Sequence, residues 1–197
     1  MLKDGLYDVP MGMLASVVTH LEMCDKPADH YVSGRTDLKL VRHTSPSLDW
    51  YRALFKEIGA HWLWSSRLEI DSVDLEQIIT NPLVEIYTIQ LNDVDLALLE
   101  LDFRVDGECE LGFFGLTGKL IGTGAGRWLM AKAIEIAFSK EINRFHLHTC
   151  TLDSPQALEF YRKAGFIATR REIEIGPDPR VSGHLPTDTA PHVPLIK

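Results

Sequence analysis

Several kinds of protein are closed off by what this 197-residue sequence has little of. Cysteine occurs three times, at Cys24, Cys109 and Cys150, with no C-x-x-C spacing. An odd, scattered set reads as reduced thiols inside a cell and not as a disulfide framework, so a cytoplasmic location is expected. H-E-x-x-H is missing too, and no metal site is expected. No apolar run is long enough to span a bilayer. The patch Met11–Val18 is short, lacks a basic flank, and has Asp4, Asp8 and Glu22 as neighbours, which counts against a leader peptide and a membrane partner. Basic residues are outnumbered, 20 against 28, for a net charge of −8. That balance disfavours nucleic acid or an anionic membrane as a bulk partner and is compatible with a cationic amine. Internal repeats and low-complexity runs are absent.

What is there suits one α/β domain with short extensions. The apolar fraction of 45% is ordinary for a globular chain of this length. Residues 1–35 form an N-terminal extension, in which the β-branched stretch Leu14–Leu21 reads as a strand, with Pro27 and Gly34 punctuating the link. Leu38–Val41 begins the domain proper, 36–176. Ser47–Gly59 has a cap, helical spacing of Tyr51, Leu54, Phe55 and Ile58, and a glycine stop. A second helix covers Ser72–Thr80 and ends at Asn81-Pro82. Val84–Leu91 and Val94–Val105 alternate about Asn92-Asp93, a hairpin signal. Ser154-Pro155 is a helix start with Ser at N-cap. Arg170–Ile175 is the last strand. Residues 177–197 hold five of the ten prolines and read as an extended tail whose Leu195-Ile196 end docks on the surface or on a partner.

The stretch from Glu108 to Phe166 reads as one chemical device. A strand, Glu108–Leu116, runs into Gly122-Thr123-Gly124-Ala125-Gly126, and a helix over Gly124–Ser139 opens with Arg127. A second strand, Arg144–Cys150, leads to a helix carrying Tyr161 and a terminal Gly165-Phe166. Glycines at a helix start let unpaired N–H groups and the helix dipole meet an anion such as a pyrophosphate. The Rossmann pattern would need glycine at Arg127, and no G-K-[ST] follows, so neither a dinucleotide fold nor a P-loop fits.

This order of elements resembles the GNAT superfamily of acetyl-CoA-dependent N-acyltransferases. The family's Q/R-x-x-G-x-G/A motif falls on Ile121–Gly126, with Ile121 in place of Gln or Arg. Its N-x-x-A-x-x-x-Y-x-x-x-G-F signature falls on Ser154, Ala157, Tyr161, Gly165 and Phe166, with Ser154 in place of Asn. The resemblance runs over roughly residues 38–175. It implies a mixed, mostly antiparallel central sheet, splayed near its centre and flanked by helices on both faces. It implies acetyl-CoA as co-substrate and transfer of an acetyl group to a primary amine, on a small molecule or a peptide, by direct attack in a ternary complex.

On that resemblance Gly122, Thr123, Gly124, Ala125, Gly126 and Arg127 cradle the pyrophosphate, and the backbone of Gly115 and Leu116 holds the pantetheine arm. Glu110 is the expected base, with Glu108 on the same strand face as second choice. Tyr161 is the expected acid for the leaving thiolate, since a phenol can donate to it. His148 is a candidate on the acceptor side and Trp62 and Trp64 are candidates to line it. His146 and His148, two residues apart, find no third metal ligand at matching spacing. Cys150 gives little reason to invoke an enzyme nucleophile. Transfer of another acyl group, a non-catalytic acyl-CoA sensor and a homodimer all remain open.

Overall fold

The computed structural model describes residues 3–28 and 35–197. Gly34, expected to mark the first link, lies outside them. The chain runs β1 (Met13–Met23), β2 (Lys39–His43), α1 (Leu48–Gly59), α2 (Ser66–Glu69), α3 (Ser72–Ile79), β3 (Val84–Leu91), β4 (Val94–Asp95), β5 (Ala97–Asp102), β6 (Glu108–Leu116), α4 (Ala125–Ala137), β7 (Arg144–Cys150), α5 (Ala157–Lys163) and β8 (Ile167–Pro177). One eight-stranded sheet has the order β2-β3-β5-β6-β7-β1-β8, with β4 on β3. Among the described residues, only β6 and β7 pair in parallel. The expected mixed, mostly antiparallel α/β sheet is therefore present. Among the described residues, no helix is long and apolar enough to cross a membrane.

Two apolar layers hold the sheet. On one face, α1 and α3 set Tyr51, Phe55, Ile58, Leu75 and Ile79 against Ile86 and Leu98. On the other, α4 sets Trp128, Leu129, Ala133 and Ala137 against Leu99, Leu101, Cys109 and Leu111. Each large aliphatic or aromatic side chain so buried contributes about 1.5–3 kcal/mol relative to exposure. The local signals act as the residue types dictate. Ser47 caps α1 through Trp50 N at 3.3 Å. Asn92 and Asp93 take φ of 50° and 60°, the left-handed pair that a two-residue hairpin turn requires.

Three expectations need correction, and one helix was not expected. The second hairpin strand ends at Asp102 and not at Val105, and Leu96 separates β4 from β5. Helix α5 starts at Ala157 with Gln156 as N-cap, because Ser154 Oγ accepts from Gln156 N and Ser154 O from Ala157 N in a preceding turn. The short helix α2 carries too few residues to leave a periodic signal. The tail is not extended. Arg180 donates to the carbonyls of Thr189, Ala190, Val193 and Pro194 while it grips Asp178, which folds residues 178–194 back on themselves. Leu185 and Ala190 then pack on Leu63, and Ile196 O accepts from Gly12 N.

A strand does run through Leu14–Leu21. As β1, it lies inside the sheet between β7 and β8, antiparallel to both. The first and last strands in sequence are thus neighbours, and the N-terminal segment is part of the sheet's hydrogen bonding.

Candidate active site

β6 and β7 are paired only through Glu108–Arg144, Cys109–Phe145 and Glu110–His146. Beyond Glu110 they part. β6 stays with β5 while β7 stays with β1, so the edge of β6 over 111–116 faces a gap in the sheet. A bulge accompanies the parting. Leu101 faces Leu111 and Glu100 faces Phe113, which leaves Gly112 unpaired. A Cβ there would sit 3.1 Å from Glu100 Oε1, so any larger residue must push against that carboxylate.

Glu100 is buried and meets Tyr51 Oη and, at 2.6 Å, Arg67 Nη2. Arg67 also lies over the Phe113 ring at 5.0 Å. Burial and the neighbouring Glu100 charge raise the Tyr51 phenol far above its ordinary range, so it is a fixed donor. This network pins the bulge from the α1–α2 side, and no pattern in the sequence pointed to it.

Glu110 stands at the point of divergence, with its side chain 40% exposed and its Oε1 3.8 Å from His148 Nδ1. Glu108 is differently placed. Arg144 Nη2 at 2.8 Å and His146 Nε2 at 3.3 Å hold it, and Arg144 keeps its carboxyl below the usual carboxylate range. A carboxylate so engaged is a poor proton acceptor, which separates the two candidates. Asp102, Arg104, Glu108, Glu110 and His146 line a cavity of about 270 Å³ whose carboxylates outnumber its one arginine. Arg104 is itself forked onto Asp102.

Trp64 joins the two sides of the gap. Its ring packs on Phe113 and Phe55 and over Gly115, while its Nε1 donates to Asp153 Oδ1 at 3.0 Å, beyond the end of β7. Gly115 is glycine for packing reasons, since a Cβ would strike Ile58. Trp62, the other expected acceptor-side tryptophan, instead contacts His61 and His192 of the tail.

Tyr161 packs among Phe114, Phe160 and Phe166, and burial, then Asp153, pushes its phenol well up. It therefore stays protonated through the physiological range, as a donor must. Cys150 is likewise raised by burial and by Asp153, so it rests as a thiol and a weak nucleophile.

On the α4 side, Gly122 and Gly124 take φ of 79° and 85°, open to glycine without strain. Thr123 N and Ala125 N are used within the turn, bonding Leu120 O and Thr123 Oγ1. Among the described residues, the N–H groups of Gly122, Gly124, Gly126 and Arg127 have no acceptor. A Cβ on Gly122 would meet nothing, whereas one on Gly126 would meet Leu116 at 3.2 Å, so Gly126 also serves the close approach of α4 to β6.

Two guanidinium groups overhang the turn. A Cβ on Gly124 would lie 3.5 Å from Arg35 Nη1 and 4.0 Å from Arg127 Nη2. Arg35 also donates to Thr123 O at 3.0 Å and is braced by Asp37. Arg35 escaped sequence reasoning because only folding brings it to a turn almost ninety positions away. Ile121, where the motif has Gln or Arg, points largely to solvent. Four free amides and two guanidinium groups around an open turn suit a diphosphate.

His20 and His148 lie with ring centres 5.9 Å apart across β1 and β7, and His20 Nε2 meets Glu172 Oε2 at 2.7 Å. Among the described residues, no three His, Cys, Asp or Glu side chains are grouped to hold a metal ion.

Comparison with known proteins gives a family match. The model of the Acetyltransferase (GNAT) family matches residues 48–166, which contain the bulge, the gap, the glycine turn and Tyr161. A search of curated proteins finds no match. Among solved structures, the chain is similar to a functionally unknown conserved protein from Staphylococcus epidermidis, with 16% identity and a TM-score of 0.60 over 85% of this chain and 63% of that one. It is similar to a GNAT family acetyltransferase from Elizabethkingia anophelis with acetyl-CoA bound, with 19% identity and a TM-score of 0.53 over 69% and 80%. It is also similar to an aminoglycoside acetyltransferase from an uncultured soil metagenomic sample, in complex with sisomicin, with 15% identity and a TM-score of 0.53 over 66% and 88%. At these identities the likeness is one of fold. The chain spans a little under two thirds of the Staphylococcus protein.

Proposed function

The chain belongs to the GNAT acetyltransferase family, and on that premise we propose that it moves an acetyl group from acetyl-CoA to a primary amine by direct attack in a ternary complex. The observation that carries this reading is the gap beside β6, which has Glu110 at its apex and the open glycine turn at its far end. When bound, acetyl-CoA supplies a thioester, an acyl carbonyl activated by a good leaving thiolate.

The chain's own residues supply the rest. The amides of Gly122, Gly124, Gly126 and Arg127, with Arg35 and Arg127 above them, hold the pyrophosphate. The free edge of β6 around Gly115 and Leu116 offers main-chain partners to the pantetheine arm and a donor to the acyl oxygen. Glu110 takes the proton from the attacking ammonium, directly or through a water, because a mostly protonated alkyl amine cannot attack. His148, 3.8 Å away, faces Glu110 on the solvent side. Tyr161 returns a proton to the thiolate. The thiol state of Cys150 favours this direct route over one through an acyl-enzyme.

Glu110, the carboxylate in this cavity that no arginine engages, favours a small cationic amine as acceptor. The soil aminoglycoside acetyltransferase binds sisomicin, which falls in that chemical class.

Thiol release from acetyl-CoA with a panel of polyamines, aminoglycosides and amino acids tests the proposal. Release that saturates in both substrates, from a protein that also binds acetyl-CoA by calorimetry, is the expected result. Tight binding without release from any amine would point to an acyl-CoA sensor. Release only from a longer acyl-CoA would change the donor and leave the cradle as assigned.

A further inference from the structure

β8 leaves one border of the sheet open. Among the described residues it pairs with β1 alone, and every residue of its eleven except Gly176 is exposed. The direction of its free backbone groups follows from its neighbours. Val17 N donates to Thr151 Oγ1 and Val17 O accepts from Thr151 N, so both point away from β8. Val17 faces Ile173, and residues facing one another in an antiparallel pair either bond to each other or both turn away. Ile173 therefore turns its N–H and C=O outward, as do Arg171 and Ile175 at the same parity.

A border of this length invites another strand unless it is blunted by charged side chains, by proline or by a bulge, and charges deter a strand that sets the same sign against them while they admit one that sets the opposite sign. Thr169 is bulged out at one end and Pro177 closes the other, which leaves 170–176 regular. The charges along that stretch have mixed sign. Arg170, Glu172 and Glu174 share one face, on which the backbone groups point inward to β1. An antiparallel second copy about a two-fold axis through Glu172 sets Arg170 opposite Glu174 of the partner subunit, and does so twice. These are the non-hydrogen-bonded positions, where facing side chains come closest. The two Glu172 carboxylates meet at the axis, each already engaged by its own His20 at 2.7 Å and Arg170 at 3.0 Å.

The other face supplies apolar surface. Ile173 and Ile175 are about half exposed beside Val17, and the same rotation lays Ile173 against the Arg171 stem of the partner subunit. Beside them runs an open groove of about 1120 Å³ between α5 and β8. A stable interface buries about 1,200–2,000 Å², which a bare strand edge does not reach and this adjoining floor helps to supply.

We propose that a second copy of this chain binds along β8, in the register centred on Glu172, and joins two sheets into one. This goes beyond the acetyl-transfer reading and does not depend on it.

Light scattering on the full chain at tens of micromolar is the test. The wild type is expected at about twice its 22.2 kDa mass. Glu174→Lys would face Arg170 of the partner subunit at two places and weaken association by about 100-fold or more, while the protein stays folded with a cooperative melt because Glu174 is exposed. The double variant Arg170→Glu/Glu174→Lys restores the complementarity and should restore the dimer mass. A monomeric wild type, a Glu174→Lys protein that stays dimeric, or a double variant that stays monomeric would each overturn the proposal.

Discussion

β3 buries its first six residues and β5 its first five, whereas β8, longer than either, buries none. The same sheet is thus two materials. From β2 to β6 it is packed under α1, α3 and α4. From β7 through β1 to β8 it thins out, with α5 over part of one face. The gap below Glu110 is where the two meet. The packed half fixes the glycine turn and Glu110 while the open half carries His148 and Tyr161, so the proposed site draws on both halves without welding them together. Trp64 is the clasp between them.

The sharpest way to break the comparison is to remove from each half the group proposed to handle a proton. Glu110→Gln and Tyr161→Phe should each lower kcat by about 10²–10⁴-fold while acetyl-CoA affinity holds, since each is expected to act in the transition state. They should differ in pH response. The Glu110→Gln defect shrinks at high pH, where the amine arrives deprotonated, and the Tyr161→Phe defect does not. Steady-state rates from pH 6 to 10 decide it. A wild-type profile in Glu110→Gln would make that residue structural.

A stability contrast comes next. Leu99→Ala, in the packed half, should cost about 2–5 kcal/mol by urea titration. Ile175→Ala, in the open half, should cost less than about 0.5 kcal/mol when measured in a monomeric background such as Glu174→Lys. Equal costs would mean that β8 is covered in solution by something other than a second copy.

The elements of the packed half were largely legible in the sequence, and what was not has a physical reason. Helices α1, α3 and α4 announced themselves because an apolar stripe must repeat every three or four residues to reach a core. The glycine turn was readable because glycine at two left-handed positions leaves few alternatives. The Tyr51–Glu100–Arg67 network, the Trp64–Asp153 link and Arg35 above Gly124 were not readable. Each joins positions far apart in the chain, and each residue alone is ordinary. The tail misled for a related reason. Five prolines argued for an extended course, yet one arginine, Arg180, collects enough carbonyls to fold it. Composition is local information, and the clasp is not.

Gly124→Val sharpens the comparison on the cofactor side alone. A branched residue at φ 85° is strained, and its side chain would enter the space under Arg35 and Arg127. Affinity for acetyl-CoA should fall by at least about tenfold by calorimetry, with β6, β7 and the acceptor side untouched. Gly118→Ala, on the same connection with nothing near its Cβ position, is the control and should bind as the wild type does. Equal binding by all three proteins would remove the pyrophosphate from this turn.

The smallest effect concerns the base of the gap, where β6 and β7 are still paired. Two groups there titrate in a way that weakens the joint as acid is added. His146 is held below its ordinary range, first by burial and then by Arg144, so the unfolded chain takes up its proton before the folded one does. Stability should begin to fall as pH drops through about 6.5, the unfolded value. Glu108 is held low by Arg144, with His146 helping. A carboxyl depressed in the folded state contributes stability that is complete above its unfolded value of about 4.3 and is lost as pH falls below it. The charged and titratable groups around this pair are Arg144, Glu22, Glu110 and His148 at the seam, with Asp102 and Arg104, at and just beyond the end of β5, across the cavity. Thermal melts should therefore drop in two shallow steps. Glu108→Gln should remove the lower one and His146→Gln the upper one. A single step that survives both substitutions would place the acid-labile joint elsewhere, at the buried Asp178–Arg180 clasp of the tail, whose carboxyl is also held low by its arginine.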